Sequence, residues 1–240
     1  MPGRGAFLAG AFALALAVLL PMRLALGWFS LDRLGLSVRE AQGSIWGGRL
    51  LDARLGEAPL GDLHARLDAL PLLIGRARIA LHRTGAGTDG GVDDRLDGAL
   101  LATRHGFGIE DMTAHLAAGQ RFAPLPVSAI DLTRASLRFA DGACVRASGL
   151  VKASMAGGMN GVDLPGGLSG TARCEGDKLL VPLASQSGME RLALRLDAQG
   201  GWRGVLSVRP ANAAARDALQ SAGLAPGADG AYALAIEGGR

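Results

Sequence analysis

The first candidate for chemistry in this chain of 240 residues is a glycine-rich run at positions 85–90, GAGTDG. Its spacing fits the pattern G-x-G-x-x-G, which binds dinucleotides when a helix follows and directs its N-terminus at the pyrophosphate. Residues 91–106 contain three further glycines and no helical stripe of apolar residues. No alternation of strands and helices surrounds the run. We therefore interpret residues 85–90 as a hairpin loop and expect no cofactor.

Metal binding is the second chemistry that the residue types would allow. The chain has four histidines, which fall in separate segments and lack the H-x-x-x-H or H-E-x-x-H spacing that places two ligands on one helical face. We expect exposed histidines, two of them at polar positions of strands, and predict no metal site. The four are His64, His82, His105 and His115.

Two pairs of adjacent carboxylates, Asp93–Asp94 and Glu110–Asp111, are the candidates for acid–base chemistry. Neighbouring side chains of a strand point to opposite faces, whereas paired acid–base catalysis needs two groups that converge on one reacting centre. The sequence also lacks the G-x-S-x-G motif of a serine nucleophile. We predict no catalytic residues and no enzyme activity.

The two cysteines, Cys144 and Cys174, are 30 residues apart. An even number of cysteines in an exported chain favours a disulfide, and closing a loop of this length would stabilise the fold by about 3–4 kcal/mol on the chain-entropy model. Two unpaired thiols in the core are the alternative. Two cysteines are too few for a tetrahedral zinc site, and they do not form a C-x-x-C redox motif.

The N-terminus determines whether the chain is exported. Residues 6–20 are an unbroken apolar run, and an extension to residue 29 gives a helix of about 24 residues that can span a bilayer. Arg23, Trp28 and Phe29 are typical interface residues. The alternative is a cleavable signal peptide with a small-x-small site at residues 25–27. We predict a membrane anchor at residues 1–30 and an exported domain at residues 31–240.

After residue 30 the dominant hydrophobic period is two, which indicates short strands separated by glycine, proline and Asp-Gly turn signals. Helical periodicity is confined to residues 67–74, interrupted by Pro71, and to residues 211–222, before Gly223. The predicted fold is mainly β: one N-terminal transmembrane helix, then an elongated antiparallel β domain with a short C-terminal helix. Two β subdomains that meet near residues 157–167 are the alternative. The clearest strands are 50–55, 63–67, 76–82, 136–139, 145–151, 192–196 and 231–237.

Charge excludes one class of partner. The formal net charge is only +3, the 25 basic residues are spread along the chain, and no run of five like charges occurs. Nucleic-acid binding would need a concentrated basic surface. We expect no nucleic-acid partner.

Several segments resemble the type II secretion system protein N family. The sequence GSIWGG at residues 43–48 follows the apolar N-terminal helix, as in that family, and Gly43, Ser44, Trp46 and Gly48 carry the motif. The segments APLG, LPLLIGR and GACVRASG and the closing strand are also similar to the family; they lie at 58–61, 70–76, 142–149 and 230–238. Trp46 between glycines is typical of a packing anchor, and partner contact is the alternative role.

The resemblance implies a non-catalytic component of the type II secretion machinery in a Gram-negative bacterium. It would be a single-pass inner-membrane protein, with most of the chain in the periplasm and an assembly or scaffold role. Its partners would be other secretion components. The alternative is a periplasmic lipid-handling protein that uses an apolar sheet face, in which case lipid would be the ligand. The two hypotheses differ in whether the apolar face is packed or open.

Overall fold

The fold is taken from a computed structural model that describes residues 36–55, 58–83, 95–117, 127–155, 167–221, 223–227 and 229–238. The predicted anchor at residues 1–30 and the glycine-rich run at 85–90 lie outside these ranges. Among the residues that are described, no helix is both long enough and apolar enough to cross a membrane.

The described residues form one antiparallel sheet of fifteen strands. The order in the sheet follows the order in the chain, except that β15 lies between β13 and β14, and β10 pairs only with β11. Such a meander needs only short connections between neighbouring strands. The strands are β1 Leu36–Ser44, β2 Gly47–Leu55, β3 Ala58–Leu67, β4 Arg76–Arg83, β5 Leu96–Thr103, β6 Gly106–Ala117, β7 Val127–Ala140, β8 Ala143–Met155, β9 Gly167–Thr171, β10 Arg173–Glu175, β11 Lys178–Ala184, β12 Glu190–Leu196, β13 Trp202–Val208, β14 Ala225–Pro226 and β15 Tyr232–Gly238.

The predicted mainly β, antiparallel fold is confirmed. Each of the predicted strand segments lies within an observed strand, except that segment 231–237 begins one residue before β15. Some turn signals were misleading. Asp97 and Gly98 lie inside β5, and Gly47 and Gly48 begin β2 rather than forming the turn. The Asp141–Gly142 step does form the turn between β7 and β8.

Two short helices interrupt the sheet. Helix α1 is Ala69–Leu72, and Pro71 is compatible with it because the N–H groups of a first turn have no partner within the helix. Helix α2 is Ala213–Ser221, which confirms the predicted C-terminal helix. The Asn212 side-chain oxygen caps it by accepting from the Ala215 N–H at 2.8 Å.

The core consists of two clusters. The larger one involves β7–β9, β11–β13 and β15 with α2, and the smaller one involves β2–β6. In the larger cluster the register aligns one leucine from each of four neighbouring strands, so that apolar side chains meet directly across the sheet. Leu132 of β7 packs against both clusters. The aligned leucines are Leu183, Leu192, Leu206 and Leu234.

Three non-glycine residues with positive φ mark β-bulges in the first eight strands. They are Asp52, Asp111 and Arg134, with φ of 52°, 47° and 47°. In each case a side-chain oxygen on the neighbouring strand accepts the N–H of the bulged residue, at 3.0 to 3.2 Å. Bulges increase the local bend and twist of a strand. The register shifts in this half of the sheet therefore curve it.

Candidate functional site: an apolar tip and an arginine-lined cleft

The β3–β4 connection, which contains α1, exposes three large apolar side chains. Leu70, Leu73 and Ile74 are 80, 84 and 69% exposed, the highest values for large hydrophobic residues in the described part of the chain. We call these three residues the apolar tip. Single exposed apolar residues are common on protein surfaces, whereas adjacent large ones are typical of a contact surface.

Charged side chains hold the base of the tip in place. Asp68, which precedes α1, accepts hydrogen bonds from Arg78 Nη1 at 2.7 Å and from Arg66 Nη2 at 3.3 Å. Arg78 also donates through Nε to Glu110 Oε2 at 2.7 Å. The hydrogen bond from Arg78 lowers the pKa of Asp68 below its usual value, and the two carboxylates, Glu110 foremost, raise the pKa of Arg78. The tip therefore stands on a charge-assisted network that links it to β4 and β6.

A cleft of about 550 Å³ opens beside the tip. Leu70, Pro71 and Ile74 line the side near β4, and strands β4 to β8 supply the remaining residues. Gly106 of β6 contributes only backbone to the lining. The remaining lining residues are Arg76, Ala77, Arg78, Leu101, Ala102, Thr103, Phe107, Ile109, Glu110, Asp111, Ser136, Leu137, Arg138 and Arg146.

Arg138 and Arg146 line the part of the cleft formed by β7 and β8, where they lie directly opposite each other. Both are exposed, and neither side chain forms a hydrogen bond or an ion pair with another described residue. We call them the arginine pair. Like charges directly opposite each other destabilise a sheet. The pair therefore places at the cleft two positive charges that no described side chain compensates.

A second pair of opposed arginines shows the usual arrangement. Arg195 of β12 faces Arg203 of β13, and each has an acidic partner. Arg195 Nε lies 2.7 Å from Glu175 Oε2, and Arg203 forms an ion pair with Glu237. The absence of such partners within the described residues distinguishes the arginine pair at the cleft.

Glu110 and Asp111, which were predicted to lie on opposite faces of a strand, both line the cleft. The reason is the bulge at Asp111, which breaks the alternation of the strand. Glu110 binds Arg78, and Asp111 interacts with Ser136, whose Oγ lies 3.4 Å from Asp111 Oδ1. Each carboxylate is thus held by its own partner and not by the other.

The histidines lie apart from the cleft, with one unexpected pairing. His64 of β3 lies directly opposite His82 of β4, which the separation in sequence did not suggest. The described residues contain no group of three or more potential metal ligands. His64, His82 and His105 are exposed as predicted, but His115 is half-buried and its Nδ1 lies 2.6 Å from Asp131 Oδ1.

The GSIWGG segment contains the end of β1, the turn at Ile45–Trp46 and the start of β2, and it lies at the same end of the strands as the tip. Gly43 has a φ of 91°, and a Cβ there would lie 2.8 Å from the Gly47 carbonyl oxygen. The register pairs Gly43 with Gly48 and Ser44 with Gly47, and Trp46 at the turn is half-buried. The Ile45 carbonyl accepts the Leu67 N–H at 2.9 Å, which joins this turn to the end of β3. The structural or partner-contact role of Gly43, Ser44, Trp46 and Gly48 stays a prediction.

The predicted disulfide is confirmed. Cys144 of β8 is bonded to Cys174 of β10, with their Cα atoms 5.6 Å apart. The pairing ladder joins β10 to β11, so the disulfide connects β10 to β8 covalently on its other side. Cys144 is buried in the larger cluster. The bond therefore fixes the strand that carries Arg146 to the second half of the sheet.

The arginine pair was not predicted from the sequence, although a signal was present. Arg138 and Arg146 flank the two-residue turn Asp141–Gly142 at nearly equal distances. A tight hairpin turn places residues at equal distances opposite each other. The lack of an acidic partner among the described residues could not be predicted, because it depends on which side chains the other strands bring close.

Comparison with known families agrees with the fold boundaries. A family model described as type II secretion system (T2SS), protein N, matches residues 34–235, from just before β1 into β15. No curated protein and no solved structure matches the chain.

Proposed function

The chain belongs to the type II secretion system protein N family and is a component of that secretion machinery; we propose that it acts there as a non-catalytic scaffold. In this proposal residues 6–29 anchor it in the inner membrane and the sheet lies in the periplasm. Its role is to hold other secretion components in place, and the contact surface is at the strand ends that carry the apolar tip.

One observation carries the proposal: the family match extends over residues 34–235, which includes nearly the whole sheet. The family resemblance is thus a property of the sheet itself and not of an accessory segment. The two carboxylates at the cleft support a binding role, because Arg78 and Ser136 engage them separately and leave no converging acid–base pair.

The disulfide supports the periplasmic location. Disulfides persist in oxidising compartments and are rare in the reducing cytosol. The Cys144–Cys174 bond therefore agrees with the export that the apolar segment at residues 6–20 predicts.

Packing favours the scaffold over the lipid-handling alternative. A lipid-handling sheet needs an open apolar face, but the leucines of both clusters are almost fully buried. Leu63 is 1% exposed, and Leu192 and Leu206 are 0% exposed. The largest exposed apolar group of the described residues is the tip, which has the size of a contact site and not of a trough for acyl chains.

The experiment is deletion of the gene in its native host, followed by restoration. Exoproteins should accumulate in the periplasm after deletion, and secretion should return when the gene is restored. A chain in which a cleavable signal peptide replaces residues 1–30 serves to test the anchor. Unchanged secretion after deletion would contradict the scaffold role, and altered envelope lipid composition in the same strain would favour the lipid-handling alternative.

A further inference from the structure

We propose that the cleft binds an acidic, amphipathic segment of a partner protein in the secretion machinery. This inference rests on the proposed scaffold function and names the surface and the chemistry of one contact. Carboxylates of the partner would bind Arg138 and Arg146, and its apolar side chains would cover Leu70 and Ile74.

The charge at the arginine pair gives the first reason. The two guanidinium groups come from directly opposed positions of neighbouring strands, whose Cα atoms are about 5 Å apart. No described residue neutralises them, whereas Arg195 and Arg203, which have the same opposed geometry, each bind a glutamate. An external carboxylate would neutralise the arginine pair in the way that Glu175 and Glu237 neutralise the arginines of β12 and β13.

Arginine is well suited to this task. Its planar group donates two parallel hydrogen bonds to one carboxylate, and it is enriched in protein interfaces. Arg76, also exposed and without an ion pair among the described residues, lines the same cleft. A segment with two or more acidic residues could therefore contact several guanidinium groups at once.

The apolar tip gives the second reason. Leu70 and Ile74 line the cleft at its β4 side and remain largely exposed, so they offer apolar area that a partner can bury. The network of Asp68, Arg78 and Glu110 holds the tip in position before any partner binds. Such preorganisation reduces the entropic cost of association.

The shape of the site and its place in the sheet favour a protein segment over a lipid surface. A bilayer surface covers protruding groups but does not enter a cleft, whereas an extended or helical segment does. In addition, the start of β1 and the tip lie at opposite ends of the strands. β1 runs from Leu36 to the β1–β2 turn, and this turn lies next to the end of β3. Nine residues of strand place the tip about 30 Å from the point where residues 1–35 join the sheet.

The test places a photo-crosslinking amino acid at position 73 of the full chain in the native host. Leu73 is exposed at the tip and does not line the cleft, so its replacement leaves the proposed contacts in place. Crosslinking is then compared in three backgrounds: the natural chain, the charge-reversed Arg138→Glu/Arg146→Glu variant, and the control Arg195→Gln/Arg203→Gln. Disulfide formation and resistance to protease verify that each variant is folded.

We expect an adduct with another secretion component at a segment rich in Asp or Glu. The adduct should fall at least about tenfold in the charge-reversed variant, as loss of a charge-assisted contact predicts, and should be unchanged in the control. Charge reversal should also reduce secretion. No adduct, an adduct with phospholipid alone, or an adduct insensitive to charge reversal would overturn the inference.

The inference and the proposed function can fail separately. If deletion of the gene abolishes secretion but Arg138→Glu/Arg146→Glu secretes normally, the acidic partner contact is wrong and the scaffold role stands. If deletion leaves secretion unchanged, the scaffold role itself is wrong.

Discussion

Strands β11–β13 and β15 pair in unbroken register, whereas four strand pairs among β2–β8 contain register shifts. The regular region aligns leucines across the sheet and pairs its opposed arginines with glutamates. The bulged region contains the smaller apolar cluster, the three bulged residues with positive φ, the cleft and the arginine pair. Regular pairing brings apolar side chains into contact across neighbouring strands, whereas a bulge disrupts this pairing and reorients a side chain.

Stability and binding depend on different parts of this sheet. The regular region contains Leu192 and Leu206, which are 0% exposed, and the disulfide ties β10, which pairs with β11, to β8. The bulged region exposes the apolar side chains of the tip and two arginines that form no ion pair with a described residue. We therefore expect substitutions in the regular region to act on the free energy of unfolding, and substitutions at the cleft to act on partner binding.

The largest effect should come from the bond that joins the two regions. Cys144→Ser/Cys174→Ser should lower the free energy of unfolding by about 3–4 kcal/mol, because the unfolded chain regains the entropy of an open 30-residue loop. Urea unfolding of the variant beside the natural chain measures it, and reduction of the natural chain should reproduce the loss. A change below about 1 kcal/mol would mean that the two regions do not depend on the bond.

The same side-chain truncation should act differently in the two regions. Leu192→Ala in the regular region should cost about 3 kcal/mol because it opens a cavity at a fully buried site between Leu183 and Leu206. Leu73→Ala at the tip should change stability by less than about 0.5 kcal/mol because the residue is 84% exposed. Thermal and urea unfolding of both variants checks this, and equal losses would contradict the comparison.

Removing a hydroxyl should also change the stability by different amounts in the two regions. Ser136→Ala should cost about 1 kcal/mol, because Ser136 Oγ accepts the N–H of Asp111 at the bulge. Ser207→Ala is the control in the regular region, where the hydroxyl has no hydrogen bond to a described residue, and should cost less than about 0.5 kcal/mol. If the two urea midpoints coincide, the side-chain bond does not support the bulge.

The smallest effect should be a pH dependence at the base of the tip. Arg78 lowers the pKa of Asp68 in the folded chain, so the ionised carboxylate stabilises the fold above the unfolded pKa, about 3.9, and this contribution is lost as the pH falls through the folded pKa. Asp68→Asn should therefore be less stable than the natural chain near pH 6, by about 1 kcal/mol or less because the site is near the surface.

The pH dependence is measured as the difference in urea midpoint between Asp68→Asn and the natural chain at several pH values. The difference should shrink as the pH is lowered below about 4. A constant difference across this range would show that Asp68 contributes through packing and not through its charge.

Much of the fold was accessible from the chain itself. Alternation of apolar and polar residues has the period of a strand, so segments such as 192–196 and 76–82 were recognised without tertiary information. Helix α2 was recognised from its strong helix formers and from Gly223 after it. The bulge at Asp111 was not recognised, because a bulge depends on the register with the neighbouring strand and has no period of its own.

The sequence by itself determined the antiparallel strand pattern, the short C-terminal helix and the family, because these depend on local periodicity and on ordered motifs such as GSIWGG. The even number of cysteines and the predicted export favoured a disulfide, and the fold brought Cys144 and Cys174 to bonding distance. Only the tertiary structure decided that Glu110 is held by Arg78, while Arg138 and Arg146 face each other and no described acidic side chain pairs with them. The physical reason is that charge compensation depends on distances between strands far apart in the chain, which the register, and not the local sequence, sets.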